Sequence, residues 1–254
     1  MTVPRLVGMI HLAPLPGSSR FAGDLQKVLK RAVQDADSLE GAGFDALMIE
    51  NFGDAPFHTS RVPTVTVAAM TAAVDAIAGE ISIPFGVNVL RNDGRAAVAI
   101  AAATGASFVR INILTGIMIT DQGTIEGEAA QIALDKRALA PDLDVFADVF
   151  VKHAVPPPGL TIEQAARDTW ERGGAGALVV SGSGTGVPVD RAVIAAVRAA
   201  TPAAPLLIGS GATASTVAGL LETADGVIVG SALKDHIDDP IDPVRARAFV
   251  EAAS

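Results

Sequence analysis

The sequence predicts an α/β protein built as a single (β/α)8 barrel, or TIM barrel, over residues 1–254. Three observations support this prediction. Eight short apolar runs rich in β-branched residues recur along the chain, alanine-rich segments with helical periodicity separate them, and 254 residues is a usual length for eight such repeats. An open doubly wound sheet is the alternative, because alternating strands and helices also build that fold.

The apolar runs are the predicted strands, and both faces of each run are apolar, as in a parallel sheet enclosed by its own helices. The runs are Leu6–Leu12, Ala46–Asn51, Phe85–Leu90, Phe108–Ile113, Val145–Val151, Ala177–Ser181, Leu206–Ile208 and Val227–Val229. The predicted helices are Leu25–Glu40, Val65–Ala78, Arg95–Ala103, Gly127–Leu139, Ile162–Arg172, Asp190–Ala200 and Thr213–Leu221. No linker rich in Pro, Ser or charge divides them, so one domain is predicted.

Composition excludes several classes of function. The chain has a formal charge of -9 and no basic run, so nucleic acid is not an expected partner. It has no cysteine, which excludes disulfides, thiolate metal ligands and a cysteine nucleophile. The N-terminus lacks the apolar core of a signal peptide, and Pro and Gly interrupt the uncharged stretch Ala199–Leu221, so we expect a cytoplasmic protein without a membrane span.

The loops predict which end of the barrel carries the site. Links from helix to strand are short and contain Gly or Pro, as in Gly41–Gly43 and Pro202–Pro205. Links from strand to helix are longer and polar, as in His11–Asp24 and Asn51–Thr64. The second kind forms the C-terminal mouth of a barrel, where active sites lie.

Polar side chains stand at the ends of six successive predicted strands, and several share the face that points to the barrel axis. They are His11, Glu50, Asn51, Asn88, Arg110, Asn112, Asp148 and Ser181. A functional interpretation is that they bind substrate hydroxyls or move protons; a structural one is that they hydrogen-bond one another. If Arg110 and Asp148 are both buried, they should be paired, because an unpaired buried charge costs several kcal/mol.

Glycine-rich turns follow the last three strands and predict a phosphate site, because small residues let main-chain N–H groups face an anion. The residues are Gly182, Gly184, Thr185, Gly186, Gly209, Ser210, Gly211, Gly230 and Ser231. Ordinary turns use the same residues, so a structural role stays open. A dinucleotide is not expected, because the glycine spacing and the downstream acid of its fingerprint are missing.

Four side chains are candidates for proton transfer or for holding a carbonyl: Asp148, Lys152, His11 and Glu50. A desolvated Lys152 has the chemistry of a base or a Schiff-base amine, and a solvated loop lysine is its structural alternative. Asp121, in the polar segment Thr120–Gly123, is a candidate for substrate binding at the mouth. No cofactor is predicted; a divalent metal on Glu50, Asp54 or Asp148 with His11 or His153 stays open, although no compact ligand spacing supports it.

The chain resembles the BtpA family, also called BtpA/SgcQ. The matching segments are Met9–Gly17, Ile49–Phe57, Pro84–Asp93, Arg110–Gly116, Ile119–Gly123, Ala147–Ala154, Val180–Gly186, Ile208–Gly211 and Gly226–Ser231. The resemblance implies a barrel of the ribulose-phosphate-binding type. It also implies relatives that act in photosystem I assembly in cyanobacteria and others that accompany sugar-metabolism genes.

Together these observations predict an enzyme that acts on a small phosphorylated metabolite, a sugar phosphate or a phosphoribosyl compound, by isomerase or lyase chemistry. A non-catalytic assembly factor and a metal-assisted hydrolase are the alternatives. Homo-oligomers are common among barrels of this size, so self-association is also expected.

Overall fold

The structure is a computed structural model that describes residues 3–254. Within residues 3–254, eight parallel strands form a closed barrel. In the order in which they pair around it, they are β1 (Leu6–His11), β2 (Ala46–Glu50), β3 (Phe85–Asn88), β4 (Phe108–Ile111), β7 (Asp144–Asp148), β9 (Ala177–Val180), β10 (Leu206–Ile208) and β11 (Gly226–Val229), and β11 pairs with β1 again. The predicted (β/α)8 fold is confirmed.

Side chains that alternate along each strand fill the inside of the barrel, while the intervening ones pack against the helices. The interior is built from residues such as Val7, Met9, Met48 and Val179, and the rings of Phe108 and Phe146 stack there with centroids 4.6 Å apart. Because the side-chain period is two, the next inward positions toward the carboxyl ends fall on the polar residues at the mouth.

In the described part of the chain, eight α-helices surround the strands. They are α1 (Leu25–Ala42), α2 (Thr64–Ala78), α3 (Gly94–Thr104), α4 (Ala129–Leu139), α5 (Ile162–Arg167), α6 (Arg191–Ala200), α7 (Val217–Leu221) and α8 (Pro243–Ala253). Asp24, Asp93, Asp190 and Asp242 cap helix N-termini by accepting main-chain N–H groups. The sequence analysis missed α8, and α5 continues into a π-helical turn over Asp168–Arg172.

A small antiparallel sheet interrupts the barrel repeat at the mouth. Strands β5 (Ile117–Thr120) and β6 (Gly123–Glu126) form a hairpin, and β8 (Ala154–Val155) pairs with β5. Most predicted strands end earlier than expected, because residues such as Leu12, Asn51 and Ser181 lie beyond the last ladder pairs and belong to the loops. Among residues 3–254, no helix is both long enough and apolar enough to cross a bilayer.

Candidate functional site

A ring of polar side chains closes the carboxyl end of the barrel interior. Strand register aligns it, because His11 pairs with Glu50 across β1 and β2, and Glu50 pairs with Asn88 across β2 and β3. Arg110, Asn112 and Asp148 complete the ring on the far side, and Ser181 lies just beyond β9. Except for half-buried Ser181, each of these side chains is at most 8% exposed.

Arg110 and Asp148 form a two-point ion pair on one side of the ring. Nε of Arg110 donates to Oδ2 of Asp148 at 2.8 Å, and the terminal Nη2 donates to Oδ1 at 2.7 Å. Burial alone lowers the pKa of Arg110, but the adjacent Asp148 carboxylate outweighs burial and raises it. The predicted pairing is confirmed, and Nδ2 of Asn112 donates a further bond to Asp148 at 3.2 Å.

The asparagine side chains mainly brace the ring. Nδ2 of Asn88 donates to Oδ1 of Asn112 at 3.0 Å and to the Arg110 carbonyl at 2.9 Å. Asn51 points away from the ring, because its amide bonds Asp54 at 3.0 Å and the main-chain N–H of Leu90 at 2.6 Å. Asn51 therefore has the structural role of holding neighbouring loop residues, whereas Asn88 and Asn112 belong to the ring.

His11 and Glu50 form a second pair on the opposite side of the ring, with Nε2 of His11 3.8 Å from Oε1 of Glu50. Burial, aided by the positive charges of Lys234 and Lys152, holds the pKa of His11 well below its ordinary value. The imidazole is therefore neutral at pH 7. Within residues 3–254, Nδ1 of His11 has no hydrogen-bond partner, and that atom is buried.

Lys152 reaches the same side of the ring from the loop after β7. Burial lowers the pKa of its ammonium group, and the Glu50 carboxylate partly counteracts that shift. In the described part of the chain, no carboxylate lies within the 4.0 Å of an ion pair with Lys152. The residue therefore has the partly desolvated environment that the functional interpretation requires.

Arg91 is a member of the site that the list of predicted site residues missed. Arg91 is 4% exposed, and its Nη2 donates to the Lys152 carbonyl at 2.6 Å. Burial lowers the pKa of Arg91. Nothing in the sequence distinguishes a lone loop arginine such as Arg91 from a solvated one.

Part of the glycine-rich rim encloses a narrow cavity of about 20 Å³. His11, Arg110 and Lys152 line it together with Thr185, Gly186, Gly209, Ser210, Gly211, Ala212, Gly230 and Ser231. Among the described residues, no acceptor receives the main-chain N–H groups of Ser210, Gly211, Ala212, Gly230 and Ser231. We call this space the amide cavity. It brings together most of the predicted phosphate-binding residues.

Two of those residues, Gly182 and Gly184, do not line the amide cavity. Gly182 donates its N–H to Oγ of Ser210 at 3.1 Å, and a Cβ there would lie 2.2 Å from the Val187 carbonyl oxygen. Glycine at position 182 therefore serves packing within its loop. Thr185 does line the cavity, and its hydroxyl is 3.2 Å from Nε2 of His153.

Glycine at two rim positions is required by close packing. A Cβ on Gly209 would lie 2.5 Å from Cγ1 of Val179 and 2.6 Å from Oγ of Ser181. Gly211 has a φ of +77° and would meet the Val187 carbonyl oxygen at 2.3 Å. These contacts explain the glycines structurally, and the unpaired amides beside them are a separate feature.

Asp121 is not part of the ring. It lies at the exposed tip of the β5–β6 hairpin, where its carboxylate accepts a hydrogen bond from Gln122. Asp54 is also engaged elsewhere, since its Oδ1 accepts the N–H of Leu15 at 2.7 Å. Among residues 3–254, no three His, Cys, Asp or Glu side chains converge as a metal site would require.

The amino-acid sequence matches the profile of one protein family over almost its whole length. That profile is the one for the BtpA family, and it matches residues 2–254. The chain belongs to the BtpA family. "Photosystem I biogenesis protein BtpA" of Synechocystis sp. is 45% identical over 249 residues, covering 97% of this chain and 87% of that protein. An uncharacterised protein of Thermococcus kodakarensis is 47% identical over 250 residues, covering 98% and 94%.

The BtpA family also includes a more distant relative, the "putative sgc region protein SgcQ" of Escherichia coli K12. It is 31% identical over 255 residues, covering 98% of this chain and 94% of that protein.

Solved structures share the barrel with this BtpA-family chain at low sequence identity. Phosphoribosyl anthranilate isomerase from Thermus thermophilus superposes with a TM-score of 0.59 at 14% identity, covering 98% of this chain and 97% of that one. KGPDC from Streptococcus mutans gives a TM-score of 0.63 at 13% identity, covering 99% and 97%. These likenesses show the fold alone.

Proposed function

We propose that this BtpA-family barrel is an enzyme that acts on a small phosphorylated metabolite, a sugar phosphate or a phosphoribosyl compound, by isomerase or lyase chemistry. The observation that carries the proposal is the amide cavity, where five residues whose main-chain N–H groups have no acceptor line one space together with Arg110 and Lys152. Two proteins that share the barrel are compatible with this proposal. One is phosphoribosyl anthranilate isomerase, and the other is KGPDC.

The chemistry of the cavity favours an anion. A buried N–H without an acceptor costs about 1–3 kcal/mol, and a hydrogen bond to a charged group recovers about 1.5–3 kcal/mol. Phosphate offers enough oxygens to satisfy several amides at once, and the cation of Lys152 adds attraction. A neutral sugar has no charged acceptor, so it would leave most of these N–H groups without a partner.

Phosphate binding requires the cavity to widen. Its present volume of about 20 Å³ is room for one water molecule. Thr185 and Gly186 form one wall, and the loop that carries them is tied to its neighbours by the contact between Thr185 and His153. We therefore assign the phosphate to Gly209–Gly211 and Gly230–Ser231, with the Thr185–Gly186 segment moving outward as the ligand enters.

His11 and Lys152 line the amide cavity, and Glu50 lies next to His11, so these three residues supply the groups for proton transfer. Isomerase and lyase reactions of sugar phosphates need a base for a proton beside a carbonyl and a donor for the carbonyl oxygen. Glu50 takes the role of base, with neutral His11 3.8 Å away to relay the proton. Lys152 holds and protonates the carbonyl oxygen. Asp148 keeps Arg110 in place, and Asn112 and Ser181 bind hydroxyls.

A second candidate function is a barrel that keeps a ligand site without turnover and serves assembly. The observation that favours it is the 45% identical relative from Synechocystis, which is named a photosystem I biogenesis protein. Substitution of Glu50 or Lys152 separates the two candidates, because an assembly role predicts unchanged biological activity in a folded variant.

Thermal unfolding with ribose 5-phosphate tests the proposal, with ribose as the uncharged control. Ligand at 100 times its Kd should stabilise the wild type by about 2.7 kcal/mol. Ser231→Asp places a carboxylate at the amide cavity and should abolish this effect, whereas the neutral Ser231→Asn should retain it. Equal stabilisation by ribose and ribose 5-phosphate would refute the phosphate site.

A further inference from the structure

A second cavity lies beside the polar ring, between the β5–β6 hairpin and α5, with a volume of about 310 Å³. Most of its walls are apolar, and its lining includes Asn112, Met118, Asp148, Phe150, Leu160 and Ala165. We call it the hairpin cavity. It has no part in the proposed phosphate site or in the proton transfer described above.

The hairpin cavity and the amide cavity lie on either side of one ion pair. Arg110 lines the amide cavity, Asp148 lines the hairpin cavity, and their paired atoms are 2.7 Å apart. The two cavities are therefore neighbours, separated by a single pair of side chains. Binding sites commonly combine such an apolar space with a few polar groups that fix orientation.

The polar side chains along the hairpin cavity already have partners. The hydroxyls of Thr115 and Thr169 are 3.0 Å apart, and Asp168 accepts from Gln164 at 2.9 Å. Asp148 is neutralised by Arg110. No Lys, Arg or His belongs to the lining described for this cavity. An anionic group placed here would lose its hydration without gaining a cation, which is unfavourable.

We propose that the hairpin cavity binds an uncharged apolar group, of the size of an aromatic ring with small substituents, carried by the phosphorylated substrate. The size follows from volume, because an apolar cavity of about 150 Å³ accepts benzene and this one has about 310 Å³. The proposal rests on the proposed function, and it narrows the substrate from any sugar phosphate to one with an apolar portion.

The chain contains its own reporter for this cavity. It has one tryptophan and no tyrosine, and Trp170 directly follows Thr169, which lines the cavity. Benzyl alcohol is the probe, with benzoate as its anionic counterpart. Benzyl alcohol should change the Trp170 emission saturably, and benzoate should bind at least tenfold more weakly.

Two substitutions of the same kind locate the probe. Ala165→Leu fills the cavity from α5 and should raise the Kd for benzyl alcohol at least tenfold, while Ala195→Leu on the exposed side of α6 should leave it unchanged. If Ala165→Leu does not fold, Ile117→Arg tests whether the probe binds in the hairpin cavity. Ile117 lines the rim and is 37% exposed, so an arginine there should make benzoate the tighter ligand.

Inorganic phosphate titrated into the same proteins separates the two proposals. Phosphate should stabilise wild type and Ala165→Leu equally, because the amide cavity is untouched. No benzyl alcohol binding to wild type, or equal binding by Ala165→Leu and Ala195→Leu, overturns the apolar site whatever phosphate does. Absence of phosphate binding to wild type overturns the proposed function, and with it the link between the apolar group and a phosphorylated substrate.

Discussion

Arg110 on β4 and Asp148 on β7 are joined by two parallel hydrogen bonds of 2.8 and 2.7 Å, and both side chains are 5% exposed or less. Their strands are neighbours in the barrel although 38 residues separate them in sequence. Bidentate geometry and an added bond from Asn112 satisfy most of the polar atoms that burial takes from water.

Breaking this pair should be costly. Arg110→Met leaves the Asp148 carboxylate buried without its cation, and we expect the free energy of unfolding to fall by about 3–5 kcal/mol. Urea denaturation measures the change. Arg95→Met provides the control, because the exposed pair of Arg95 with Asp135 should contribute at most about 1 kcal/mol.

The double variant Arg110→Met, Asp148→Leu tests whether the cost comes from the lone carboxylate. Removing both charges should restore most of the lost stability, because an apolar pair of similar volume often replaces a buried ion pair without penalty. If the double variant is no more stable than Arg110→Met, the unpaired Asp148 carboxylate is not the cause of the lost stability.

The neutral state of His11 predicts a pH dependence of stability. The folded protein holds the pKa of His11 well below 6.5, while in the unfolded chain it lies near 6.5. Below pH 6.5 the unfolded state therefore binds a proton that the folded state does not, so stability falls as pH falls, by at most about 1.4 kcal/mol per pH unit. This loss stops below the folded pKa.

His11→Gln should flatten that decline between pH 7 and the folded pKa, as measured by urea denaturation at several pH values. Comparison of variant with wild type removes the contributions of Asp35 and Asp54, whose pKa values burial raises. A His11 imidazole resonance that titrates near pH 6.5 in NMR would contradict the assignment.

The sequence predicted the barrel and most of the ring because both depend on periodicity. A period of two places His11, Glu50, Asn88 and Asp148 on the inner face once the strands are recognised. Asn51 follows Glu50 by one residue, so the same rule places it on the other face, toward Asp54.

Loop contacts could not be predicted in this way. The hairpin strands β5 and β6 have four residues each, and their pairing depends on the chain reversing at Gly123, where φ is +108°. Arg91 reaches the Lys152 carbonyl across 61 residues of sequence, and no local pattern encodes such a contact. The loop contacts at the mouth are therefore known only from the structure, whereas the barrel strands could be predicted from the sequence.

Two glycines should respond in opposite directions to alanine. Gly209→Ala brings a Cβ within 2.5 Å of Val179 and should destabilise by about 1–3 kcal/mol. Gly41 lies in α1 with nothing within 4 Å of a Cβ, so Gly41→Ala should stabilise by about 0.5–1 kcal/mol. Thermal or urea unfolding gives both values, and equal destabilisation by the two would contradict the packing described for the rim.

Lys152 should react with amine reagents at lower pH than exposed lysines. Burial lowers its pKa, so a larger fraction is the free amine, which is the nucleophile. Limited labelling with an amine-specific reagent, followed by peptide mass analysis, compares Lys152 with Lys27 on the exposed face of α1. Because Lys152 lines the amide cavity, ribose 5-phosphate should protect it and leave Lys27 unaffected. Protection of both lysines would indicate a general effect of the ligand on the reagent. If Lys152 were labelled only at the pH that Lys27 requires, the Lys152 ammonium group would be as well solvated as that of a surface lysine.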